Sequence, residues 1–454
     1  MRKTVAQLAE WLNIENQAFG DVVVTGISID TRTIQAGDLF IPFRGEAVNG
    51  HRFVEKAIEN GAAASLWMKD EPNPPVNIPL IFVEDSELAL QQMAESYRAE
   101  HKATFIGITG SNGKTSSKDI LAGALEPYFK VQKTIGNFNN QLGLPITILQ
   151  LDEDTEVSVL EMGMSGFGEI EFLTKLARPH YTVITNIGEA HMRDLGSRAG
   201  IAKAKFEIVE GMQDCGKLFY DGDEPLLREL VAARPELDAV AFGFESGNDL
   251  MANSIETTEN GSSFTVEGIL KGEYFISVLG KHQVKNTLNA MLISQALGLS
   301  EEQIRTALRQ VVLTDMRMQQ LPGVNGSLFI NDAYNAAPTS MGAAIEFMKQ
   351  TTMRERKWLV LGDMLELGED EQQFHEQIAD VIDAQAIEKV LLFGPRMKWL
   401  YDKLAPHYTA DTLVYAADDY EPLIEAVQLA DTQTIVLFKG SRGMKLETII
   451  TGAK

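Results

Sequence analysis

Hydrophobic positions in the first hundred residues follow strand-like and helix-like spacing in turn. Residues 22–29 and 79–83 have the short apolar runs and the alternation that are typical of strands. Residues 53–60 and 87–100 have the spacing of amphipathic helices. These patterns predict a small mixed α/β domain over residues 1–100.

The next two hundred residues repeat an order of strand and helix. Strand-like apolar runs, separated by helical patterns, occur at residues 103–108, 157–160, 182–186, 217–220 and 239–242. This order predicts βαβ units and a mainly parallel sheet. Alternation around Asn260-Gly261 predicts an antiparallel hairpin pair within residues 250–280, and residues 282–297 predict a helix. We therefore expect a central domain over residues 101–312.

The last part of the chain begins a second alternation of strands and helices. Strand candidates with helical patterns between them occur at residues 328–330, 358–361, 390–393, 413–415 and 435–438. The pattern predicts a C-terminal Rossmann-like domain over residues 313–454. It contains no G-x-G-x-x-G segment, so the fold class alone does not imply NAD.

Composition excludes several classes of protein. The 454 residues carry a formal net charge of −24 and a pI near 4.7, which argues against nucleic acid or an anionic membrane surface as the main partner. The single cysteine, Cys215, excludes an internal disulfide and a cysteine-based zinc site. The sequence has no run of about 18 apolar residues, so it predicts no membrane span. The N-terminus is not typical of a signal peptide. We expect a cytoplasmic protein.

A glycine-rich turn follows the apolar run at 103–108. It continues as Lys114-Thr115 and then as a segment that can form a helix to about Tyr128. A strand, a glycine turn and a helix in this order are typical of a phosphate-binding loop. Backbone N–H groups then face the phosphates, Lys114 adds a positive charge, and the Thr115 hydroxyl can bind magnesium. The alternative is a glycine turn followed by a surface lysine.

The loop departs from the common phosphate-loop pattern because position 108 is isoleucine. Its shorter form, T-G-x-N-G-K-T at residues 109–115, resembles the Mur ligases and their folylpolyglutamate synthase relatives. These families are ATP-dependent ligases that activate a carboxylate as an acyl phosphate and then form an amide bond. The resemblance implies that ATP is bound by Gly110, Ser111, Asn112, Gly113, Lys114 and Thr115.

Glu161 follows the apolar run at 157–160, and ligands of parallel sheets lie at the carboxyl ends of strands. This position makes Glu161 a candidate magnesium ligand, with a surface glutamate as the alternative. Its surroundings, E-M-G-M-S-G-F-G-E-I, resemble the magnesium segment of the Mur ligases, and N-I-x-x-A-H, ending at His191, resembles their second magnesium segment. Lys205 matches a lysine whose carbamylated amine serves the family as a carboxylate ligand, and Lys203 is the alternative. The implied metal ligands are Thr115, Glu161, His191 and Lys205, and the implied catalytic residues are Lys114, Glu161, His191 and Lys205.

Two segments resemble parts of the family that contact the nucleotide. The segment G-K-H-Q-V-K-N matches the family at His282 and Asn286, while Gln283 replaces the usual asparagine. Arg317 matches an arginine near the start of the third domain that could bind the γ-phosphate, and a structural salt bridge is the alternative. We expect all three matching side chains to contact ATP.

Two further segments lie in the third domain. The segment N-D-A-Y-N-A-A-P resembles a nucleotide-orienting segment of the family, which implies that Asp332 and Asn335 bind the ribose of ATP. Ala337 stands where the family usually has asparagine. The segment K-G-S-R resembles a segment that closes on phosphate or on the incoming amine substrate. It contributes Lys439, Ser441 and Arg442.

The first domain resembles the UDP-binding module of the MurE and MurF subgroups. The matching side chains that imply UDP-substrate binding are Ser28, Asp30, Arg32 and Arg44, with the two arginines at the diphosphate. The segment T-I-G-N-F-N-N resembles the substrate loop of the MurF subgroup at Asn137, Asn139 and Asn140. A loop rich in asparagine and glycine with no ligand is the alternative.

Together these segments imply the MurF subgroup of the Mur ligases. The implied reaction joins D-alanyl-D-alanine to UDP-N-acetylmuramoyl-tripeptide, with ATP and magnesium as cofactors, in peptidoglycan precursor synthesis. Another ligase of the superfamily and a nucleotide-binding regulatory module are the alternatives. The third residue of the tripeptide, lysine or diaminopimelate, stays open. We also expect a monomer, and a rotation of the third domain that brings Arg317, Asp332 and Lys439 towards Lys114.

Overall fold

The computed structural model describes residues 1–15, 18–45, 48–189 and 191–454. Within these ranges the strands form three main sheets, of four, nine and six strands, and one two-stranded sheet. Each main sheet belongs to one of three successive domains, so the predicted α/β class with three domains is confirmed. The domain boundaries after residues 100 and 312 stay a prediction.

The first domain is built on a four-stranded parallel sheet. Its elements are β1 (Lys3–Thr4), α1 (Val5–Trp11), β2 (Val23–Val24), β3 (Gly26–Ser28), β4 (Asp38–Phe40), a 3₁₀ helix (Gly50–Phe53), α2 (Val54–Glu59), β5 (Ala64–Met68), β6 (Leu80–Val83) and α3 (Ser86–Glu100). The order β3-β4-β5-β6 is parallel throughout. Strand β5 was not predicted, because all of its residues are buried and its sequence does not alternate.

Helix α3 connects the first domain to the central domain. It begins at the cap residue Asp85, whose carboxylate accepts hydrogen bonds from the backbone N–H groups of Glu87 and Leu88. Its buried side chains belong to one apolar core that contains residues of both domains, such as Leu8 and Leu144. The shared core joins these two domains into one packed unit.

The central domain contains the longest sheet. Its elements are β7 (Thr104–Thr109), α4 (Lys114–Leu125), β8 (Val131–Lys133), α5 (Gly143–Leu149), β9 (Val157–Glu161), α6 (Glu169–Ala177), β10 (Tyr181–Ile184), α7 (Met192–Leu195), α8 (Arg198–Phe206), a 3₁₀ helix (Glu207–Gly211), β11 (Lys217–Asp221), α9 (Pro225–Ala232), β12 (Asp238–Gly243), β13 (Leu250–Thr258), β14 (Gly261–Gly268), β15 (Gly272–Ile276), α10 (Lys281–Ala296) and α11 (Glu301–Leu308).

The strand order of the central sheet is β15-β14-β13-β12-β11-β10-β7-β9-β8. Pairing is parallel from β13 to β8, as predicted. Strands β13, β14 and β15 are antiparallel, and the turn between β13 and β14 is Glu259-Asn260, directly before Gly261. The predicted hairpin pair is therefore confirmed.

The third domain has its own sheet and its own cores. Its elements are β16 (Gln319–Pro322), a 3₁₀ helix (Val324–Gly326), β17 (Leu328–Asn331), α12 (Pro338–Gln350), β18 (Arg356–Gly362), a 3₁₀ helix (Gly368–Asp370), α13 (Glu371–Gln377), a 3₁₀ helix (Ile378–Val381), β19 (Lys389–Phe393), α14 (Met397–Leu404), β20 (Leu413–Ala416), α15 (Glu421–Gln428), β21 (Thr434–Lys439), a 3₁₀ helix (Arg442–Met444) and α16 (Glu447–Gly452).

The third sheet has the order β16-β17-β21-β18-β19-β20, and only the edge strand β16 is antiparallel within the described chain. Apolar clusters on its two faces form the core of this domain. Among the described residues, no helix has both the length and the apolar character needed to cross a bilayer.

Candidate active site

The strand order of the central sheet brings the ends of β7, β9 and β10 together. Strand β7 lies between β9 and β10, and all three are parallel. The chain leaves β7 towards one side and later returns to its other side, which creates a crevice where open α/β sheets bind ligands. A cavity of about 1570 Å³ lies at this point and is lined by residues of the central and third domains.

The phosphate loop, residues 109–115, connects β7 to α4 at the cavity. Gly110 has φ 154° and Gly113 has φ 80°, and a Cβ atom there would lie 1.8 Å from Thr185 Oγ1 or 2.6 Å from Asn286 Oδ1. Only glycine fits these close approaches. Helix α4 begins at Lys114, so its N-terminal N–H groups lie at the cavity.

Lys114 lies inside this loop. Its Nζ atom donates a hydrogen bond to the Gly110 carbonyl at 2.8 Å. Burial lowers the pKa of Lys114, the charge of Glu161 opposes this shift, and the charge of Arg317 adds to it. The ammonium is therefore placed where an anionic ligand would favour its charged form.

Asn186, which follows β10, holds the phosphate loop in place, and the sequence analysis did not identify it. Its Oδ1 atom accepts the backbone N–H of Asn112 at 2.9 Å, and its Nδ2 atom donates to the Asn112 carbonyl at 2.9 Å. The Ser111 hydroxyl and the Asn112 side-chain amide are buried, and neither has a hydrogen-bond partner in the described ranges. These two groups are available to a ligand that occupies the loop.

Glu161 ends β9 and is 3% exposed. Its carboxylate accepts hydrogen bonds from Thr115 Oγ1 and from Asn139 Nδ2, both at 2.9 Å. Arg317 of the third domain donates from Nη2 to the same Thr115 hydroxyl at 2.8 Å. We call the loop that contains Asn137, Asn139 and Asn140 the asparagine loop. The structure therefore brings together four side chains from separate segments: Thr115 of the phosphate loop, Glu161 at the end of β9, Asn139 of the asparagine loop and Arg317 of the third domain.

Arg317 is held by its neighbours in the third domain. Its guanidinium group lies 4.3 Å from the ring centroid of Tyr334, within cation–π distance. Met316 and Met318 on either side have φ 63° and 50°, in the left-handed region that non-glycine residues rarely adopt. No ion pair engages Arg317 within the described chain. The structural salt bridge considered for Arg317 is not found.

Lys203 and Lys205 lie on α8 in opposite environments. Lys203 is exposed, whereas Lys205 is 1% exposed. Burial, followed by the charge of Lys114, lowers the pKa of Lys205 well below its usual value. Within the described part of the chain, no hydrogen bond or ion pair of the Lys205 side chain is found. The lowered pKa favours the uncharged amine, which is the form that reacts with carbon dioxide.

His191 is the N-cap residue that precedes α7 beside the cavity, and its φ is 68°. Burial lowers its pKa, the charges of Lys205 and Lys114 add to this, and the charges of Glu366 and Asp194 oppose it. A neutral imidazole is the form that ligates a metal. His191 therefore lies within the electrostatic reach of both lysines that were predicted to act with it.

The chemistry of these groups fits magnesium in part. Glu161 and Thr115 offer a carboxylate and a hydroxyl, the kinds of oxygen that magnesium binds. No group of three or more histidine, cysteine, aspartate or glutamate side chains in the described ranges is placed to hold a metal. A carbamate on the uncharged Lys205 amine would supply the missing anionic oxygen ligand.

The start of α10 packs on the phosphate loop and α4. Gln283 donates from Nε2 to Ser116 Oγ at 3.3 Å, and Asn286 donates from Nδ2 to Gln283 Oε1 at 3.0 Å. Burial lowers the pKa of His282 to about 4; the charge of Asp332 opposes this shift and the charge of Lys439 adds to it, both with smaller effects. The amide groups of Gln283 and Asn286 therefore support the loop, and His282 is a neutral side chain at the cavity.

The third-domain residues meet in a hydrogen-bonded group on the opposite wall. Lys439 donates from Nζ to Asp332 Oδ2 at 2.6 Å and to the Asn335 carbonyl at 3.1 Å. Ser441 accepts the backbone N–H of Leu365 at 2.9 Å through its hydroxyl. Arg442 lines the same cavity and is ion-paired with Glu447.

Most predicted residues line the cavity, but Gly110, the buried Lys205 and the residues of the first domain do not. The lining includes Asn137, Asn139 and Asn140, whereas Ser28, Asp30, Arg32 and Arg44 lie outside it. Arg32 is bonded to Asp30, and Arg44 pairs with Asp70 and Glu71. The Oδ1 atom of Asn140 accepts the backbone N–H of Gly143, the first residue of α5, at 2.9 Å. The UDP-binding role of the first-domain residues stays a prediction.

The sequence analysis missed two buried charged residues, Lys118 and Asp119, which lie about one helical turn after the phosphate loop. Asp119 is 1% exposed, pairs with Lys133 Nζ at 2.8 Å and accepts the backbone N–H of Thr314 at 3.0 Å. Lys118 is 2% exposed, and its Nζ atom lies 3.8 Å from Glu161 Oε2. Adjacent charged residues on a helix are normally solvated, so only the packing shows that both face inward.

A phosphate loop on a parallel sheet, a buried carboxylate at the next strand end and cations from a third domain define a nucleotide-binding protein of three α/β domains. Comparisons with known proteins agree with this class. The family model of the Mur ligase middle domain matches residues 108–294, the glutamate ligase domain matches residues 316–442, and the catalytic domain matches residues 23–98.

Similar proteins cover nearly the whole chain. A UDP-N-acetylmuramoyl-tripeptide–D-alanyl-D-alanine ligase of Bacillus subtilis (strain 168) is 42% identical over 99% of this chain and 98% of its own length. The ligase of the same name from Escherichia coli (strain K12) is 30% identical over 98% of this chain and 97% of its own length. The chain belongs to the Mur ligase family.

Solved structures agree with this placement. A crystal structure of MurF from Acinetobacter baumannii has a TM-score of 0.88 and 28% identity, covering 100% of this chain and 99% of its own. A MurF ligase from Thermotoga maritima in complex with ADP has a TM-score of 0.83 and 27% identity, covering 95% of this chain and 97% of its own. The resemblance that was noted from the phosphate loop is confirmed.

Proposed function

We propose that this chain is an ATP-dependent ligase that joins D-alanyl-D-alanine to UDP-N-acetylmuramoyl-tripeptide, with release of ADP and phosphate. The observation that carries this proposal is one cavity that contains the phosphate loop, Glu161, the asparagine loop and the cations of the third domain. The whole-length similarity to ligases of this name supports the choice of substrates.

The nucleotide phosphates fit between the phosphate loop and Arg317. The N-terminus of α4 and the Lys114 ammonium favour negative charge. Arg317, held against Thr115 by a 2.8 Å hydrogen bond, adds a positive charge from the other side. His282 and the ion pair of Asp332 and Lys439 line the same cavity and are available to the rest of the nucleotide.

Magnesium would be held by Thr115, Glu161, His191 and a carbamylated Lys205. When bound, the ion supplies positive charge next to the phosphates. The chain's own part is to orient the Glu161 carboxylate, which Thr115 and Asn139 do by hydrogen bonding to it. Burial lowers the pKa of Lys205 and so favours the uncharged amine that carbamylation requires.

The reaction proceeds in two steps. A carboxylate oxygen of the tripeptide attacks the γ-phosphorus, the bond to ADP breaks, and an acyl phosphate forms. The neutral amine of the dipeptide then attacks the acyl carbon, phosphate leaves with the electrons of the acyl C–O bond, and the leaving phosphate takes up the proton that the nitrogen loses. Lys114 and Arg317 stabilise the negative charge that develops on phosphoryl oxygens in both steps.

The peptide part of the substrate is held by amide groups. Asn137, Asn139 and Asn140 line the cavity beside Glu161, and each amide both donates and accepts hydrogen bonds. The UDP part binds the first domain through Ser28, Asp30, Arg32 and Arg44. Both arginines would exchange their present carboxylate partners for the diphosphate.

The protein acts as a monomer in the cytoplasm.

A phosphate-release assay separates this proposal from a nucleotide-binding module that does not ligate. Purified protein with ATP, magnesium and the nucleotide tripeptide should release phosphate in proportion to added D-alanyl-D-alanine. The Lys114→Ala variant, which lacks the phosphate-loop charge, should release little under the same conditions. Phosphate release that does not depend on the dipeptide would contradict the proposal.

A further inference from the structure

The acidic side chains of the cavity differ in whether they already have partners. Nine described carboxylates line it. Seven of them bond to a neighbouring donor: Glu161, Glu169, Asp221, Asp223, Glu224, Asp332 and Glu346. Glu256 and Glu366 have neither an ion pair nor a hydrogen bond to any residue that the structure describes. An unpaired carboxylate at a cavity is free to bind a cationic group of a ligand.

Glu366 is presented by a loop that is fixed on both sides. The backbone N–H of Met364 donates to His375 Nε2 at 3.0 Å, and that of Leu365 donates to Ser441 Oγ at 2.9 Å. Ser441 in turn donates its own N–H to the Asp363 carbonyl at 3.0 Å. These bonds tie the loop, residues 363–368, to α13 and to the segment that follows β21.

The backbone of Glu366 itself is strained. Its φ is 65°, in the left-handed region that L side chains rarely adopt, and such residues concentrate at functional sites. An exposed glutamate gains nothing for stability from this conformation. The strain is explained if the side chain must point towards a ligand.

The loop also places Glu366 near the reacting groups. The 3₁₀ helix Gly368–Asp370, which follows the loop, contacts α7, and α7 begins directly after His191. The charge of Glu366 acts on His191, which also feels the charges of Lys114 and Lys205. Glu256 lies instead on β13 and is not among the charges that act on His191 or Lys205.

The chemistry of the second substrate supplies the matching cation. A free dipeptide is a zwitterion, and its nucleophilic end carries an ammonium group until it loses a proton. The cationic side chains of the cavity can bind phosphate and carboxylate groups but repel an ammonium. The ammonium of the dipeptide therefore needs an unpaired carboxylate as its partner. Arg442 lies on the segment bonded to the same loop, and a Cβ at Gly443 would be 3.3 Å from Leu365 Cδ1.

We propose that Glu366 binds the ammonium group of the incoming dipeptide and that Arg442 binds its carboxylate. This proposal rests on the proposed function and adds the residue that recognises the amine. A neutral or N-blocked dipeptide lacks the group that Glu366 binds, and so the site selects a free N-terminus. The two loops act together, because Ser441 bonds to Leu365 between them.

Steady-state kinetics of Glu366→Gln test the proposal. The variant should raise the KM for D-alanyl-D-alanine by about 10- to 100-fold, the range that corresponds to losing one charge-assisted contact. The KM values for ATP and for the nucleotide tripeptide should stay within about twofold of wild type. Glu366→Asp should recover part of the loss. The matched control Glu256→Gln removes the other unpaired carboxylate and should change none of these constants.

An uncharged analogue distinguishes ammonium binding from a structural role. In D-2-hydroxypropionyl-D-alanine a hydroxyl replaces the ammonium, so the wild type should bind it as an inhibitor far more weakly than it binds the dipeptide. Glu366→Gln should reduce this preference towards unity. An unchanged preference or an unchanged dipeptide KM in Glu366→Gln would overturn the proposal, as would an equal rise of all three KM values. Wild-type protein that makes no product from the dipeptide would instead overturn the proposed function.

Discussion

At the scale of residues, the main feature is an excess of buried positive charge around Glu161. Lys118 is 2% exposed and its Nζ atom lies 3.8 Å from Glu161 Oε2, while Lys114 and Arg317 are half-buried close to the same carboxylate. In a chain of net charge −24, this local excess is unfavourable unless an anion joins it. The phosphates of ATP supply such an anion, so the cavity is electrostatically incomplete without its nucleotide.

Substitution of the two lysines of α8 tests the carbamate. Lys205→Ala should lower activity by roughly 100-fold or more, because charge stabilisation by a metal is worth several kcal/mol. Lys203→Ala is the matched control and should stay near wild type, since Lys203 is exposed. Small carboxylic acids added to Lys205→Ala should restore part of the rate by filling the ligand position.

The opposite pattern would change this assignment. If Lys203→Ala loses activity while Lys205→Ala does not, the carbamate belongs to Lys203. If both variants stay active, the chain does not use a carbamylated lysine.

His282 predicts how stability depends on pH. Its pKa of about 4 in the folded protein lies below the value of roughly 6.5 expected when unfolded, so between these values the unfolded chain binds more protons. The free energy of unfolding should therefore fall as pH drops through this window, by roughly 3 kcal/mol at most. His282→Gln should lose less stability on acidification, as measured by urea unfolding at several pH values.

The exposed His407 provides the control for this measurement. His407→Gln should keep the wild-type pH dependence. An identical loss of stability in His282→Gln and wild type between pH 6.5 and 4 would argue against a neutral buried His282.

At the scale of elements, sequence patterns predicted the long, regular pieces and missed the short or fully buried ones. The apolar run at 103–108 and the alternation around Asn260-Gly261 correspond to β7 and to the hairpin of β13 and β14. Strand β16 was missed because Gln319–Pro322 is polar and ends in proline, which is tolerated only at a sheet edge. Edge strands and fully buried strands lack the alternation of apolar and polar residues on which strand prediction depends.

Residues of the site could be predicted from the sequence only where they belong to a recognisable motif or follow a predicted strand. The phosphate loop and Glu161 could be placed from strand ends. Asp119 and Glu366 could not, because their roles depend on which residues surround them after folding. The partner of Asp119, for example, is the backbone of Thr314, far along the chain.

Asp119 links α4 to the segment that leads into the third domain. Asp119→Ala would remove the acceptor of the Thr314 N–H and would leave Lys133 without its partner. Breaking a buried pair typically costs about 3–5 kcal/mol, and we expect a loss near the lower end because Lys133 is one-third exposed. Urea unfolding measures the loss, and limited proteolysis near residue 314 measures the loosening of the segment.

The exposed pair of Lys130 and Asp154 serves as the control. Lys130→Ala should cost far less stability than Asp119→Ala, because surface ion pairs contribute little. Equal losses in the two variants would mean that Asp119 contributes no more than a surface charge.

At the scale of the whole molecule, the first two domains share a core and the third is attached mainly by polar contacts. Among the described residues, the bonds between the central and third domains include Arg317 to Thr115, Thr339 to Glu189 at 2.5 Å and Arg354 to Glu259. Few apolar contacts would be lost if the third domain turned. The first two domains should therefore move as one unit and the third as another.

Small-angle scattering should detect this rotation. The radius of gyration should fall when ATP and the nucleotide tripeptide are both present, because both ligands favour the arrangement seen here, in which Arg317 contacts Thr115 of the phosphate loop. Closure excludes water from the acyl phosphate, which would otherwise hydrolyse. The same compactness with and without both ligands would count against a rotating third domain.

The most direct test of the account is the identity of the product. Purified protein is incubated with ATP and magnesium in two mixtures, and products are measured by mass spectrometry alongside released phosphate. With UDP-N-acetylmuramoyl-tripeptide and D-alanyl-D-alanine, we expect the UDP-N-acetylmuramoyl-pentapeptide and one phosphate for each product molecule. With UDP-N-acetylmuramoyl-dipeptide and free lysine or diaminopimelate, we expect no product. Product in the second mixture and none in the first would contradict the account.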